Sequence, residues 1–214
     1  MVDYSITNHS GKGLHTEFFK LIYKHGSKIV IDKRQVIIST GDIVSNYYYI
    51  DHGIAKYFIV SEDGTEKILM VLEKGSSFGG LPIILESPTT LSVLVEPSTI
   101  LYKIDKKRVL CLLDQSHAFR MYFITQICLY GRHLSAHVSS LCFESATDRL
   151  YNLLASSTKE KPTEECWYEL KRRFNQNEMA SIIGASRVTV SKALNELCEQ
   201  KRIRVLNRTI YVKK

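Results

Sequence analysis

Between Asn175 and Leu197 the chain sets polar and basic side chains at spacings suited to gripping a nucleic acid. Arg187, Thr189, Ser191, Lys192 and Asn195 fall on one side of a helical repeat, and Val190, Ala193, Leu194 and Leu197 fall on the other. The chemistry open to the polar side is hydrogen bonding to base edges. Arg187 has the reach for a bidentate bond to guanine, whereas Val188 offers only a methyl contact, as to thymine. Ser186 is a good N-cap for this helix. A shorter helix precedes it, with Met179, Ile182 and Ile183 on its apolar side and Gly184 free to take the positive φ that ends it. That layout is a helix-turn-helix, whose second helix brings its N-terminal residues to the major groove. The expected contact residues are Asn175, Gln176, Ser186, Arg187, Val188, Thr189, Ser191 and Lys192. A hairpin follows, Arg202–Leu206 and Thr209–Lys213 about the turn Asn207-Arg208. As a wing, it would project Arg204 and Arg208 toward phosphates.

Charge agrees with a polyanion partner for this end of the chain. Residues 171–214 hold 11 Lys and Arg against 3 Glu, while the whole chain of 214 residues is only +7. Everything before residue 171 is therefore close to neutral, and the basic charges interleave with a periodic apolar stripe. No run of about 18 apolar residues exists, so no membrane span is expected. Residues 1–14 lack the apolar core of a signal peptide, which points to the cytoplasm. The five cysteines (Cys111, Cys128, Cys142, Cys166 and Cys198) form no C-x-x-C pair and read as reduced thiols, with no metal or other cofactor implied.

The elements that must position this end are of two kinds. Short β-rich runs appear at 28–31, 35–39, 47–51, 53–60, 67–72, 91–95 and 99–104, separated by turn residues such as Gly41-Asp42 and Asp63-Gly64. Regular spacing of this kind predicts an antiparallel sandwich or barrel, with Asp63-Gly64 turning a hairpin. One short helix is expected around Glu17–Tyr23. A long helix should start between Lys106 and Gln115 and run to Leu141. In it Phe123, Ile127, Tyr130, Leu134, His137 and Leu141 alternate at spacings of four and three, the seam of a two-helix coiled coil, which predicts a homodimer. A helix at Ser145–Ser156 then opens the last domain. The expected fold class is α+β, divided into 1–113, an antiparallel roll; 114–143, a dimerisation helix; and 144–214, a winged helix-turn-helix.

Taken in order, these motifs resemble the Crp–Fnr family of bacterial transcription regulators over roughly residues 27–214. The resemblance rests on Gly41-Asp42, Tyr48-Tyr49-Ile50 and Gly53; on Glu62-Asp63-Gly64-Thr65-Glu66; on Gly75-Ser76-Ser77-Phe78-Gly79-Gly80; on Asp148-Arg149-Leu150; and on Ile183 through Ser191. It implies a cyclic-nucleotide-binding-like sensor, a dimerising helix, and contacts with palindromic double-stranded DNA and RNA polymerase. In the cyclic-AMP receptors a Gly-Glu-Leu holds the ribose, and an Arg-Ser ten residues after the Glu pairs with the phosphate. Here the matching positions hold Gly80 and Thr90 in one register, or Leu81 and Leu91 in the other. Neither register supplies a Glu or an Arg, and an unpaired buried phosphate is costly. Iron–sulfur members carry an N-terminal cysteine cluster, yet this chain has no cysteine before Cys111. His133 and His137 lie one turn apart, as haem or metal ligands could, but lack a third partner.

The expected effector site is therefore apolar and non-nucleotide: Phe78, Gly79, Gly80, Leu81, Thr90, Leu91, Ser92 and Val93, with Tyr130 and Leu134 approaching from the long helix. Glu62–Lys67 and Val188–Ser191 resemble the chlorophenol-sensing members more closely. A site filled by its own side chains, needing no ligand, stays equally open. The rival class is a ligand-binding β-barrel without regulatory DNA binding. No catalytic motif is found, and no enzyme is expected.

Overall fold

The computed structural model describes residues 5–6, 12–164 and 166–214. They divide into two compact units, 5–132 and 133–214. The first contains β1 (Ser5–Ile6), α1 (Lys12–His25), β2 (Ser27–Ile31), β3 (Gln35–Ile38), β4 (Asn46–His52), β5 (Ala55–Val60), β6 (Glu66–Leu72), β7 (Ser77–Phe78), α2 (Gly80–Leu85), β8 (Ser92–Val95), β9 (Thr99–Asp105) and α3 (Lys106–Gln115). Helix α4 (His117–Phe143) crosses the division, and the second unit continues with α5 (Ala146–Ser156), β10 (Trp167–Glu169), α6 (Gln176–Ile183), α7 (Arg187–Glu199), β11 (Ile203–Leu206) and β12 (Thr209–Lys213).

The first unit is a roll of two sheets, ordered β1-β6-β5-β8-β3 and β2-β9-β4-β7. All pairs are antiparallel except β1 with β6. The seven strand runs read from the sequence all form, within a residue or two. Asp63 tightens the expected hairpin turn by accepting from the Thr65 amide at 3.1 Å. Between the sheets lie Ile50, Ala55, Leu72, Val95 and Leu101, all fully buried. The helix expected at Glu17–Tyr23 is longer, and its buried Phe18 stacks on Tyr122 of α4 at 3.6 Å between ring centroids.

The long helix departs from expectation at its start. Ser116 is extended, at φ −118° and ψ 116°, and divides α3 from α4. Two caps explain the division. The Asp105 side chain accepts from the Arg108 amide at 3.0 Å, and Ser116 Oγ accepts from the Phe119 amide at 3.2 Å, so each helix satisfies its own first turn.

The second unit packs α5, α6 and α7 around Leu150, Leu154, Ile183, Val190 and Leu197. Beside them lies a sheet ordered β10-β12-β11, in which β10 is a strand the sequence reading missed. Its three residues alternate weakly and only its pairing with β12 makes it a strand.

Candidate nucleic-acid interface and ligand site

The reading helix is assembled from local chemistry. Ser186 is extended and its Oγ accepts from the Thr189 amide at 3.0 Å, which starts α7 where the sequence places it. Asn175 does the same for α6, accepting from the Glu178 amide at 2.8 Å. Gly184 takes φ 66° and ends α6, so the chain turns within two residues. The buried face of α7 is Val190, Ala193 and Leu197, with Leu194 at its margin. Arg187, Val188 and Lys192 are left exposed, Val188 at 65%. An apolar side chain held this far into water has its methyl groups open to a partner surface. Arg187 Nε donates to Gln176 Oε1 at 3.4 Å, so the starts of α6 and α7 lie side by side. Thr189 and Ser191 are half-buried, and the Thr189 hydroxyl lies 2.8 Å from Ser186 Oγ. Asn175 is exposed but occupied as a cap, and Gln176 is half-buried and occupied by Arg187.

Arg149 fixes this arrangement from α5. Its guanidinium donates to the carbonyls of Ile183 at 2.9 Å and Glu144 at 2.7 Å, tying the end of α6 to the start of α5. The wing is β11 and β12, joined at Asn207 and Arg208, both with positive φ. Arg208 is exposed at the turn, as expected. Arg204 is not a projecting residue. It pairs with Glu164 at 2.5 Å and lies over the rings of Trp167, at 4.7 Å, and Tyr211, at 5.2 Å. Trp167 faces Lys213 across the β10–β12 ladder, so Arg204 is held against the sheet.

In the roll the expected effector residues separate. Gly79 and Gly80 are buried, and there is no room at either for a side chain. A Cβ on Gly80 would lie 2.7 Å from Phe123, and one on Gly79 would lie 2.6 Å from the Asn46 carbonyl. Val93 is buried opposite Tyr57. Phe78 is buried but stacks on Tyr48 at 4.9 Å. Leu81 is 52% exposed, because α2 turns it outward together with Ile84 and Leu85. Thr90 is exposed as well, Leu91 is half-buried, and Ser92 Oγ accepts from the Thr40 amide at 2.9 Å, a hydrogen bond that closes the β3–β8 edge. Leu134 is 40% exposed, which removes it from an enclosed pocket.

What gathers there with the expected Tyr130 are three tyrosines the sequence reading did not single out, Tyr47, Tyr57 and Tyr122. Tyr130 donates to the Ser77 carbonyl, Tyr122 donates to the Gly75 carbonyl at 2.6 Å, and Tyr57 meets Tyr130 edge to face at 6.0 Å. Tyr47 is buried against Phe119 and Phe123, at 5.9 and 5.8 Å. Gln126 is buried beside them, with its Oε1 3.4 Å from the Tyr130 hydroxyl and its Nε2 unpaired among the described residues. Burial pushes all four tyrosine hydroxyls up, so they stay neutral donors. An isolated Tyr at 47 or 57 reads as core, and no local spacing announces that four of them converge.

The seam on α4 is also revised. Phe123, 6% exposed, belongs to the roll core, Tyr130 is turned to Ser77, and His137 is buried. The row left exposed is Ile124, Ile127, Leu134, Val138 and Leu141. With Gly131, whose Cβ position has no atom within 4 Å, it repeats at spacings of three and four. Ile127, Leu134 and Leu141 are exposed, as a seam would need, while the exposed positions beside them are Ile124, Gly131 and Val138 rather than the expected Phe123, Tyr130 and His137. One residue turns a helix by about 100°, enough to move a side chain from the roll to the open face.

Comparison with known proteins supports both units. Residues 28–116 match the family described as cyclic nucleotide-binding domain, and residues 148–214 match the Crp-like helix-turn-helix domain. The second match sets aside a barrel with an incidental helical tail. The cAMP-activated global transcriptional regulator CRP of Pasteurella multocida is 26% identical over 194 residues, 89% of each chain. The c-di-GMP responsive global regulator CLP of Xanthomonas campestris shares the fold at a TM-score of 0.80 and 20% identity, covering 93% of this chain and 99% of its own. CprK in complex with OCPA shares it at 0.69 and 20% identity, covering 92% and 88%. Among the described residues no helix is long and apolar enough to cross a membrane.

Proposed function

Because this chain belongs to the Crp/Fnr family of DNA-binding transcription regulators, we propose that residues 1–113 sense a small non-nucleotide effector, 114–143 pair two copies, and 144–214 read a palindromic promoter site and meet RNA polymerase in the cytoplasm. The observation that carries the DNA reading is α7: Ser186 starts it, its inner face is sealed, and Arg187, Val188 and Lys192 are exposed at its first turns. A single helix-turn-helix reads one half-site, so a two-fold site needs two copies. The exposed row on α4 is the surface that supports pairing, and Gly131 in its middle lets a second helix approach closely.

The relative from Pasteurella is named for activation by cAMP. For this chain a different effector class is supported by the absence of charge where the cyclic phosphate would need it. Gly80 is covered by Phe123, Leu81 and Thr90 face outward, and neutral tyrosine hydroxyls occupy the interior. The buried Tyr47 hydroxyl and Gln126 amide suit the acceptor atom of a small neutral or phenolic molecule better than an anion.

Two experiments test this. Sedimentation of the wild type should show dimers and Leu134→Glu should show monomers, since the exchange buries an unpaired charge in the seam; dimers in both refute the pairing surface. Calorimetry with a large excess of cyclic AMP, with and without DNA, should show no heat of binding. Saturable binding that tightens DNA affinity returns the protein to nucleotide sensing.

A further inference from the structure

The short helix α2 presents its apolar side to water. It reads Gly-Leu-Pro-Ile-Ile-Leu, without a charged residue, and only Gly80 and Ile83 are buried. Leu81, Ile84 and Leu85, three and four residues apart, form one outward stripe and are 52, 43 and 61% exposed. The helix cannot roll to hide them. Gly79 is held at φ 84° against the Asn46 carbonyl, Gly80 is seated on Phe123, and Glu86, just past the last turn, pairs with Lys106 at 2.7 Å. Three large apolar side chains fixed together in water mark a contact surface.

The place of the stripe says what covers it. Because Gly80 lies on Phe123, the stripe starts at the flank of α4, and Ile84, one turn beyond Gly80, lies on the same side of α2. The neighbouring face of α4 is apolar too. Met121, Ile124 and Ile127 are exposed, and from Met121 to Gly131 the helix holds no charged residue. The stripe and the pairing row are thus parts of one uncharged surface. The row by itself is short. From Ile124 to Leu141 it covers about two and a half heptads, with a glycine in the middle, where a self-sufficient coiled coil runs over about three to four.

Two copies that read a two-fold site place both reading helices at one end, so their α4 helices run parallel. In a parallel pair the residues flanking the row meet crosswise. With Ile124 and Ile127 in the row, Phe123 lies on one flank and Cys128 on the other, so Phe123 of one copy faces Cys128 of the partner subunit. Phe123 is also the residue that carries α2. We propose that α2 is a second seat for the partner copy, in which Leu81, Ile84 and Leu85 of one subunit pack on Met121 and Cys128 of the partner subunit. This rests on the pairing through α4 proposed above. The contact occurs twice by symmetry, so each roll is tied to the other copy's helix and the short seam gains apolar area.

The full chain is tested by oxidative trapping and by sedimentation. Leu81→Cys and Ile84→Cys, each made with the natural cysteines in place, are treated with copper phenanthroline. At least one should give a covalent dimer that the wild type does not give and that is lost when Cys128→Ser is added. No such dimer from either variant overturns the proposal, as does a dimer that survives Cys128→Ser. I84S/L85S should keep the circular dichroism spectrum of the wild type and weaken the dimer by about tenfold or more. If it folds and dimerises as tightly as the wild type, the second seat is refuted, and an accompanying loss of polymerase recruitment would assign the stripe to another protein. Trapping decides the matter whether or not the serine variant folds. A wild type that sediments as a monomer at every concentration refutes the pairing reading itself, a result distinct from all of these.

Discussion

The helix-turn-helix and the roll site are built from residues at very different distances along the chain. Ser186 caps α7 through an amide three residues away, Asn175 does so for α6, and Gln176 reaches Arg187 across eleven positions. In the roll, Tyr47 of β4, Tyr57 of β5, and Tyr122, Gln126 and Tyr130 of α4 are brought together around β7 by the sheet topology. A surface made of local signals can be lost one contact at a time. A site made of distant side chains is also the core of its unit, so changing the site changes the fold. This contrast is why the two regions should respond differently to substitution.

The largest expected effect breaks the roll. Phe123→Ala removes a buried ring that packs on Gly80 and Tyr47 and should cost about 3–5 kcal/mol of unfolding free energy, read by urea denaturation. If stability is unchanged while the dimer weakens, Phe123 is a seam residue after all and the revised row on α4 is wrong. Arg187→Ala should leave stability alone and cost about 1–3 kcal/mol of specific DNA binding, relaxing preference at one base position. A variant that binds its selected site as tightly as wild type would remove Arg187 from the reading surface.

Smaller effects sharpen the contrast. Ser186→Ala loses the cap of α7 and should cost about 0.5–2 kcal/mol. That loss should appear in the stability of the DNA unit and, through fraying of the first turn, in binding. Loss in neither would mean that packing of Val190 and Leu197 alone fixes the start of the helix. The smallest effect is a pH dependence. Asp148 is held below the usual carboxylate range, first by the hydrogen bond from Ser145 and then by Arg202. Because the folded state lowers its affinity for protons, its contribution is complete above about pH 4 and fades as the carboxyl protonates below that. Asp148 is largely exposed, so the contribution is small. Asp148→Asn should slightly flatten the acid limb of the stability curve, measured by denaturation between about pH 2 and 6; an unchanged limb would show that the pair does nothing for stability.

Much of the DNA unit was legible because its information is short-range. Caps at Ser186 and Asn175, the positive φ of Gly184 and the stripe Val190–Leu197 each follow from residue type within one or two turns. Arg204 was misread for the complementary reason. Its neighbours in sequence suggest a projecting wing cation, but Glu164, Trp167 and Tyr211 arrive from elsewhere and hold it. The strands of the roll were found from turn residues and β-rich runs. Strand β10 was missed because three residues carry no period of their own.

By itself the sequence determined the order and type of most elements, the family resemblance, and the face of α7 that stays polar, since periodicity, capping and glycine placement act between near neighbours. It also determined that neither candidate register of the roll site carries a phosphate-pairing charge. Tertiary structure decided which side chains fill that site, that Leu81 and Thr90 turn outward, and which of two adjacent rows of α4 remains open. Those outcomes depend on where sheets and helices meet. A helical seam read from spacing is uncertain by one residue, and only the packing of Phe123 on Gly80 and Tyr130 on Ser77 fixes how α4 is rotated.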